Sequence, residues 1–169
     1  IALALAQAFP EAQVTATDIS PEQIAHALPK DNVTYHTAPA HESGLPDGSV
    51  HLLTAATSAH WFAYDKFHAE TRRVLKPGGV IALWSYYLPE ISPKIDPLVD
   101  RLYHDILNPY WAPEIEYQKQ KYRTLPFPFA EIPHPELSAE VVWKMEDILG
   151  FFRTFSGRIP YMKEHDNID

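Results

Sequence analysis

The chain has 169 residues, of which 46% are hydrophobic, enough for one domain with a real core. Its formal net charge of -8, from 22 acidic and 14 basic residues, argues against a nucleic-acid partner, whose binding rests on clustered Lys and Arg. There is no cysteine for disulfide or thiol chemistry, and no apolar run approaches the ~20 residues of a membrane-spanning helix. No signal-peptide pattern is visible, so a cytoplasmic setting without a membrane is expected.

Ile1 to Phe9 is helix-forming, with neither a start methionine nor an N-cap before it, and reads as a helix already under way. Gln13 to Thr17 is a short strand with Asp18 at its C-terminal end. Ser20-Pro21-Glu22-Gln23 is a helix start: serine as N-cap, proline at the first helical position, Gln23 as the reciprocal cap. Ile24, Ala27 and Leu28 are its expected buried stripe. Asp31-Asn32 turn the chain into a second strand, Val33 to Thr37, and a loop over 38–46 leads to the Asp47-Gly48 turn.

The middle of the chain is the most regular. Val50 to Ala56 is an apolar run ending in small residues, followed by a turn with His60 and Trp61. Phe67, Thr71 and Val74 then recur at i, i+4 and i+7, one face of a helix. That helix stops at Lys76-Pro77-Gly78-Gly79, and Val80 to Trp84 is again solidly apolar. Strands apolar on both faces belong to a parallel sheet covered by helices, so an α/β fold is expected. Beyond Tyr86, Ile95, Leu98, Val99, Leu102 and Ile106 fit one helix face, with Pro97 in its first turn. Residues 108–136 are rich in Pro and aromatics. Val141 to Trp143 reads as a late strand, and Ile148, Leu149, Phe152 and Phe155 as a last helix face.

The string from His60-Trp61-Phe62 through Phe67, Glu70 and Arg73-Val74-Leu75-Lys76-Pro77-Gly78-Gly79 resembles the region after the fourth strand of class I S-adenosylmethionine-dependent methyltransferases, in a branch that includes relatives of trans-aconitate methyltransferase. The resemblance runs from Ile1 to about Tyr161. It implies a Rossmann-like fold: a mostly parallel sheet with helices on both faces, here one partial domain over 1–169 with a Pro- and aromatic-rich insertion at about 88–138. The family's Gly-rich loop and first strand would precede Ile1, so the chain is expected to be truncated at its N-terminus. In the family's strand order, 3-2-1-4-5-7-6, that strand would stand between the strands at 13–17 and 50–56. Their open edges make self-association of this chain an expectation.

The implied activity is methyl transfer from S-adenosylmethionine to a small-molecule acceptor, by O-methylation of an acceptor such as a carboxylate. The alternatives are a degenerate nucleotide-binding or scaffold domain and a dinucleotide-dependent oxidoreductase. Asp18, followed by Ile19, is the candidate for the ribose hydroxyls, since a carboxylate can accept from both; its bland reading is a helix cap or turn. Ala40 and His41 align with the loop bordering the adenine, where the family usually has Ala-Glu, or else form a solvated loop. Ala55, Ala56 and Ser58 lie where the family holds the methionine part. His60 is the candidate base, or a packed structural group. Trp61, Tyr86, Tyr110 and Trp111 are the candidate substrate-pocket residues, and the aromatic insertion reads equally as a lid or as packing. Arg72, Arg73 and Lys76 read as a solvated basic helix end. Nine histidines occur, but none has the His-x-x-x-His spacing with a companion Glu, so no metal is expected.

Overall fold

A computed structural model describes residues 1–134 and 137–165. The expected insertion includes Pro135 and Glu136, which lie outside the described residues. The chain divides into two compact units, Ile1–Ser85 and Tyr86–Asp169.

In the first unit, helix α1 (Ala2–Ala8) buries Ala6 and leads to strand β1 (Val14–Asp18). Helix α2 (Pro21–Ala25) starts as its sequence dictates: the Ser20 hydroxyl accepts from the Gln23 N–H at 3.2 Å, with Pro21 at the first helical position. The reciprocal half of the cap differs from expectation. Gln23 does not reach back, because Asp18 Oδ1 already accepts from the Ser20 N–H at 2.9 Å. The helix is one turn long, so it ends before the expected stripe does; Ile24 and Ala27 are half-buried while Leu28 is exposed. Strand β2 (Val33–Thr37) pairs parallel with β1, Val14 opposite Val33 and Asp18 opposite Thr37. The Asn32 side chain ties the entry to β2 back to α1 and to the turn after it, donating to the carbonyls of Ala6 at 3.3 Å and Ala12 at 2.9 Å.

Strand β3 (Val50–Ala56) leads through a single 3-10 turn, Ala59–Trp61, into helix α3 (Tyr64–Val74). The i, i+4, i+7 face is buried as the spacing requires: Phe67, Thr71 and Val74 are each no more than 2% exposed. Asp65 in the first turn and Arg72 and Arg73 in the last complement the helix dipole. Strand β4 (Leu75–Trp84) follows without a break and pairs parallel with β3. The expected turn at 76–79 is a bulge inside that strand, since Leu75 stands opposite Val50 and Val80 opposite Leu52. Its glycines are required. Gly78 has φ +78°, and a Cβ on Gly79 would lie 2.9 Å from the Lys76 carbonyl oxygen and 3.1 Å from that of Val50.

The strands form two two-stranded parallel sheets, β1–β2 and β3–β4, rather than one. The interruption falls between β1 and β3, the strands that the resemblance places on either side of a further strand.

In the second unit, helix α4 (Asp96–Asp100) runs into a π-helical stretch, Arg101–Ile106, closed by a bond from the Leu107 N–H to the Leu102 carbonyl at 2.9 Å. This widened winding changes the expected face. Val99, Tyr103 and Leu107, spaced by four, are buried, and Leu98 is exposed. Helices α5 (Ile115–Lys119), α6 (Met145–Arg153) and α7 (Arg158–Glu164) follow. Val141 to Trp143 is not a strand: no ladder partner meets it among the described residues, and Val142 is fully exposed. On α6, Phe151 takes the half-buried place expected for Leu149, which is exposed.

Candidate functional site

In open parallel sheets, ligands bind beyond the carboxyl ends of the strands, because side chains there are free of the ladder and the connecting loops can open around them. Asp18 ends β1. It is exposed, and its Oδ1 is committed to the Ser20 N–H while Oδ2 makes no hydrogen bond among the described residues. The turn role and a ligand role are therefore compatible on one carboxylate. Ile19 beside it is 74% exposed. The ladder continues one step further, with the Ala38 N–H donating to the Asp18 carbonyl at 3.0 Å. This brings the loop after β2 alongside Asp18.

That loop forms an open recess of about 580 Å³, lined by His36 to Pro39 and Glu42 to Leu45. Ala40 and His41 are half-buried and lie between the two lining stretches without lining the recess themselves. Ser43 and Leu45 were not singled out by the sequence. The signal available for Ser43 is the small-residue, glycine-adjacent character of Ser43-Gly44, where Gly44 has φ +72°.

The loop is fastened to α3. Glu70, 8% exposed, accepts from the Ser43 N–H at 2.9 Å and the Ser43 hydroxyl at 2.6 Å, both on Oε1. Arg73 grips the same carboxylate with Nε and Nη2, each at 2.8 Å, and reaches Asp47 with Nη1 at 2.6 Å. The Arg73 hydrogen bonds, aided by those from Ser43 and opposed by burial, lower the Glu70 carboxyl from 4.5 to about 2. Glu70 and Asp47 in turn push the Arg73 guanidinium further up. Arg73 is thus a bridging residue rather than a solvated helix end, because i, i+3 spacing sets it beside Glu70. Lys76 is half-buried, its ammonium 3.1 Å from His51 Nε2.

At the end of β3, Ala55 is buried and Ala56 and Ser58 are half-buried. Between them Thr57 adopts φ +53°, with its N–H donating to the Trp84 carbonyl at 2.8 Å. A β-branched residue in the left-handed region is strained, and such strain collects at functional edges. His60 is 3% exposed, its ring 4.8 Å from that of Trp61, which is 49% exposed.

The other aromatic candidates belong to the second unit. The Trp111 indole N–H donates to the Tyr103 carbonyl at 2.9 Å, and its ring lies against Gly157 and Phe155. Burial raises the Tyr103 phenol to about 12. Tyr110 stands edge-on to Tyr161, and Tyr86 is exposed with its ring 5.8 Å from Phe151. In this part of the insertion the rings pack on one another. No group of three or more His, Cys, Asp or Glu among the described residues has an arrangement that could hold a metal ion.

A family model described as a methyltransferase domain matches residues 1–83. A solved structure assigned as a type II methyltransferase from Anaeromyxobacter dehalogenans superposes with a TM-score of 0.83 at 42% identity, over 95% of this chain and 68% of that one. The chain belongs to the class I S-adenosylmethionine-dependent methyltransferases. It is also 33% identical, over 83% of its length, to a Dictyostelium discoideum protein assigned as a methyltransferase, and 32% identical, over 80%, to a demethylmenaquinone methyltransferase of Thermus thermophilus. It spans 55% and 64% of those two relatives. S-adenosylmethionine is the donor of the family, and the exposed, half-committed carboxylate of Asp18 beside an open recess fits its adenosine end.

Proposed function

We propose that this chain carries the donor site of a methyltransferase that moves a methyl group from S-adenosylmethionine to a small-molecule acceptor. The observation that carries the reading is the free Oδ2 of Asp18 at the carboxyl end of a parallel strand, next to the recess of the following loop. Asp18 and Ile19 would hold the ribose, the loop that carries Ala40 and His41 would border the adenine through the stretches on either side of them, and Ala55, Ala56 and Ser58 would meet the methionine part.

The donor supplies an already activated sulfonium methyl, so the protein's task is to align the acceptor and exclude water. A base is needed only if the acceptor must lose a proton. His60 is the base candidate, and a side chain 3% exposed reaches an acceptor poorly. We therefore assign an oxygen acceptor that needs no base, a carboxylate. The likeness of the His60-Trp61-Phe62 string to trans-aconitate methyltransferase relatives supports that choice.

Calorimetry of the full-length protein with S-adenosylmethionine, S-adenosylhomocysteine and NAD tests the donor. Methyl transfer from labelled S-adenosylmethionine to a panel of carboxylic acids and phenols tests the acceptor. Binding of NAD alone would replace this reading with an oxidoreductase, and binding of none with a scaffold. Transfer confined to phenols would overturn the carboxylate.

A further inference from the structure

The loop over 38–46 has no regular structure, and its own backbone contributes one bond, from the Glu42 N–H to the Pro39 carbonyl at 3.0 Å. Its shape must therefore come from outside the loop. The attachment lies at Ser43, held through both its N–H and its hydroxyl by a carboxylate on the neighbouring helix. The same hydroxyl accepts from the Leu45 N–H at 3.2 Å, which folds the second lining stretch around the anchor.

We propose that Glu70 is a positioning residue of the donor site, fixing the loop 38–46 against α3 and so setting the shape of the recess that receives the adenosine end of the donor. This rests on the donor reading above. The physical case is that a nearly buried carboxylate is tolerated only when its charge is compensated and its oxygens are filled. Arg73 does the first. Ser43 completes the second, and it is the only loop residue that does so among the described residues.

The latch has two further features. Arg73 also holds Asp47, and its carbonyl accepts from the Gly48 N–H at 2.8 Å, so both ends of the segment from the recess to β3 are gripped by one turn of α3. The carboxylate also stays charged throughout the neutral range, since its pKa lies near 2. The latch is thus a fixed support rather than a pH switch. Glutamine in its place still accepts from Ser43 but turns an amide N–H₂ toward the guanidinium, which loosens the grip without changing side-chain volume.

The test uses the full-length protein, with Glu70→Gln, Ser43→Ala and, as a control on the exposed side of α3, Lys66→Gln. Three quantities are read: affinity for S-adenosylhomocysteine by calorimetry, kcat and KM for S-adenosylmethionine, and amide exchange over 38–46. Glu70→Gln is expected to weaken the nucleoside product about tenfold or more and to raise KM for the donor in parallel. Its kcat at saturating donor should stay within about threefold of the parent. Exchange should rise over 38–46 while α3 stays protected. Ser43→Ala should show the same pattern more weakly, and Lys66→Gln none of it.

Unchanged affinity in a folded Glu70→Gln protein would overturn the positioning role alone. A fall in kcat with unaltered KM would do the same. If Glu70→Gln does not fold, Ser43→Ala decides, and parental affinity in that variant refutes the proposal. If the parent itself fails to bind S-adenosylhomocysteine, the donor reading falls and takes the proposal with it.

Discussion

Acid stability offers a direct measure of the Glu70 cluster. The carboxyl is lowered from 4.5 to about 2, chiefly by hydrogen bonds from Arg73. In the unfolded chain it titrates near its ordinary value, so between about pH 4.5 and pH 2 the unfolded state binds a proton that the folded state refuses. Stability from this group is therefore complete above about pH 4.5 and is lost as pH falls toward 2. A shift from 4.5 to about 2 corresponds to ~3.4 kcal/mol at ~1.36 kcal/mol per unit. The Arg73 side chain is 37% exposed, and solvent screening brings the expected figure to about 2 kcal/mol. The assay is urea unfolding at a series of pH values between 2 and 6, followed through NMR cross-peaks of Phe67 and Val74, which report on the core face of α3 alone. The parent should lose about 2 kcal/mol more across that window than Glu70→Gln, whose side chain does not titrate. Parallel curves for the two proteins would refute the assignment of the shift to this cluster.

Other substitutions probe single features of the first unit. Asp18→Ala should weaken S-adenosylhomocysteine binding by about 1.5–3 kcal/mol in calorimetry. Asp18→Asn keeps the acceptor for the Ser20 N–H, so a loss of affinity in it as well would assign the effect to the ribose rather than to the turn. His60→Ala should lower the melting temperature if the buried ring packs, whereas a base would show as a fall in turnover of about 10²- to 10⁴-fold with donor affinity intact. Thr71 is fully buried and its Oγ1 finds no hydrogen-bond partner among the described residues, so Thr71→Val should stabilise the fold by about 1 kcal/mol in urea titration. Gly79→Ala should destabilise it, because the added methyl meets backbone oxygens that cannot move aside; an unchanged midpoint would show that the bulge relaxes.

Much of this protein is legible in its sequence because the deciding forces are local. Strands β1 to β3 and α3 lie within a residue or two of where periodicity and turn residues put them, since a 3.6-residue repeat or a solid apolar run admits few conformations, whereas β4 starts five residues before Val80 because its pairing with β3 absorbs the expected turn as a bulge. The serine cap of α2 and the place of Asp18 at a strand end follow from the same short-range chemistry. Tertiary structure decided what depends on partners distant in the chain. Whether strands share a sheet is set by edge pairing, and β1 and β3 find none with each other. Val141 to Trp143 has strand-forming residues, but a strand exists only where another backbone completes its ladder. Leu28 and Leu98 fit apolar stripes that a short helix and a π-turn displaced. Glu70 is the plainest case: on the helix it is a charged residue three before an arginine, and only the return of Ser43, 27 positions earlier, makes it an anchor. Local patterning places each element along the chain, but the energy of a buried charge is settled by whatever the fold brings to it.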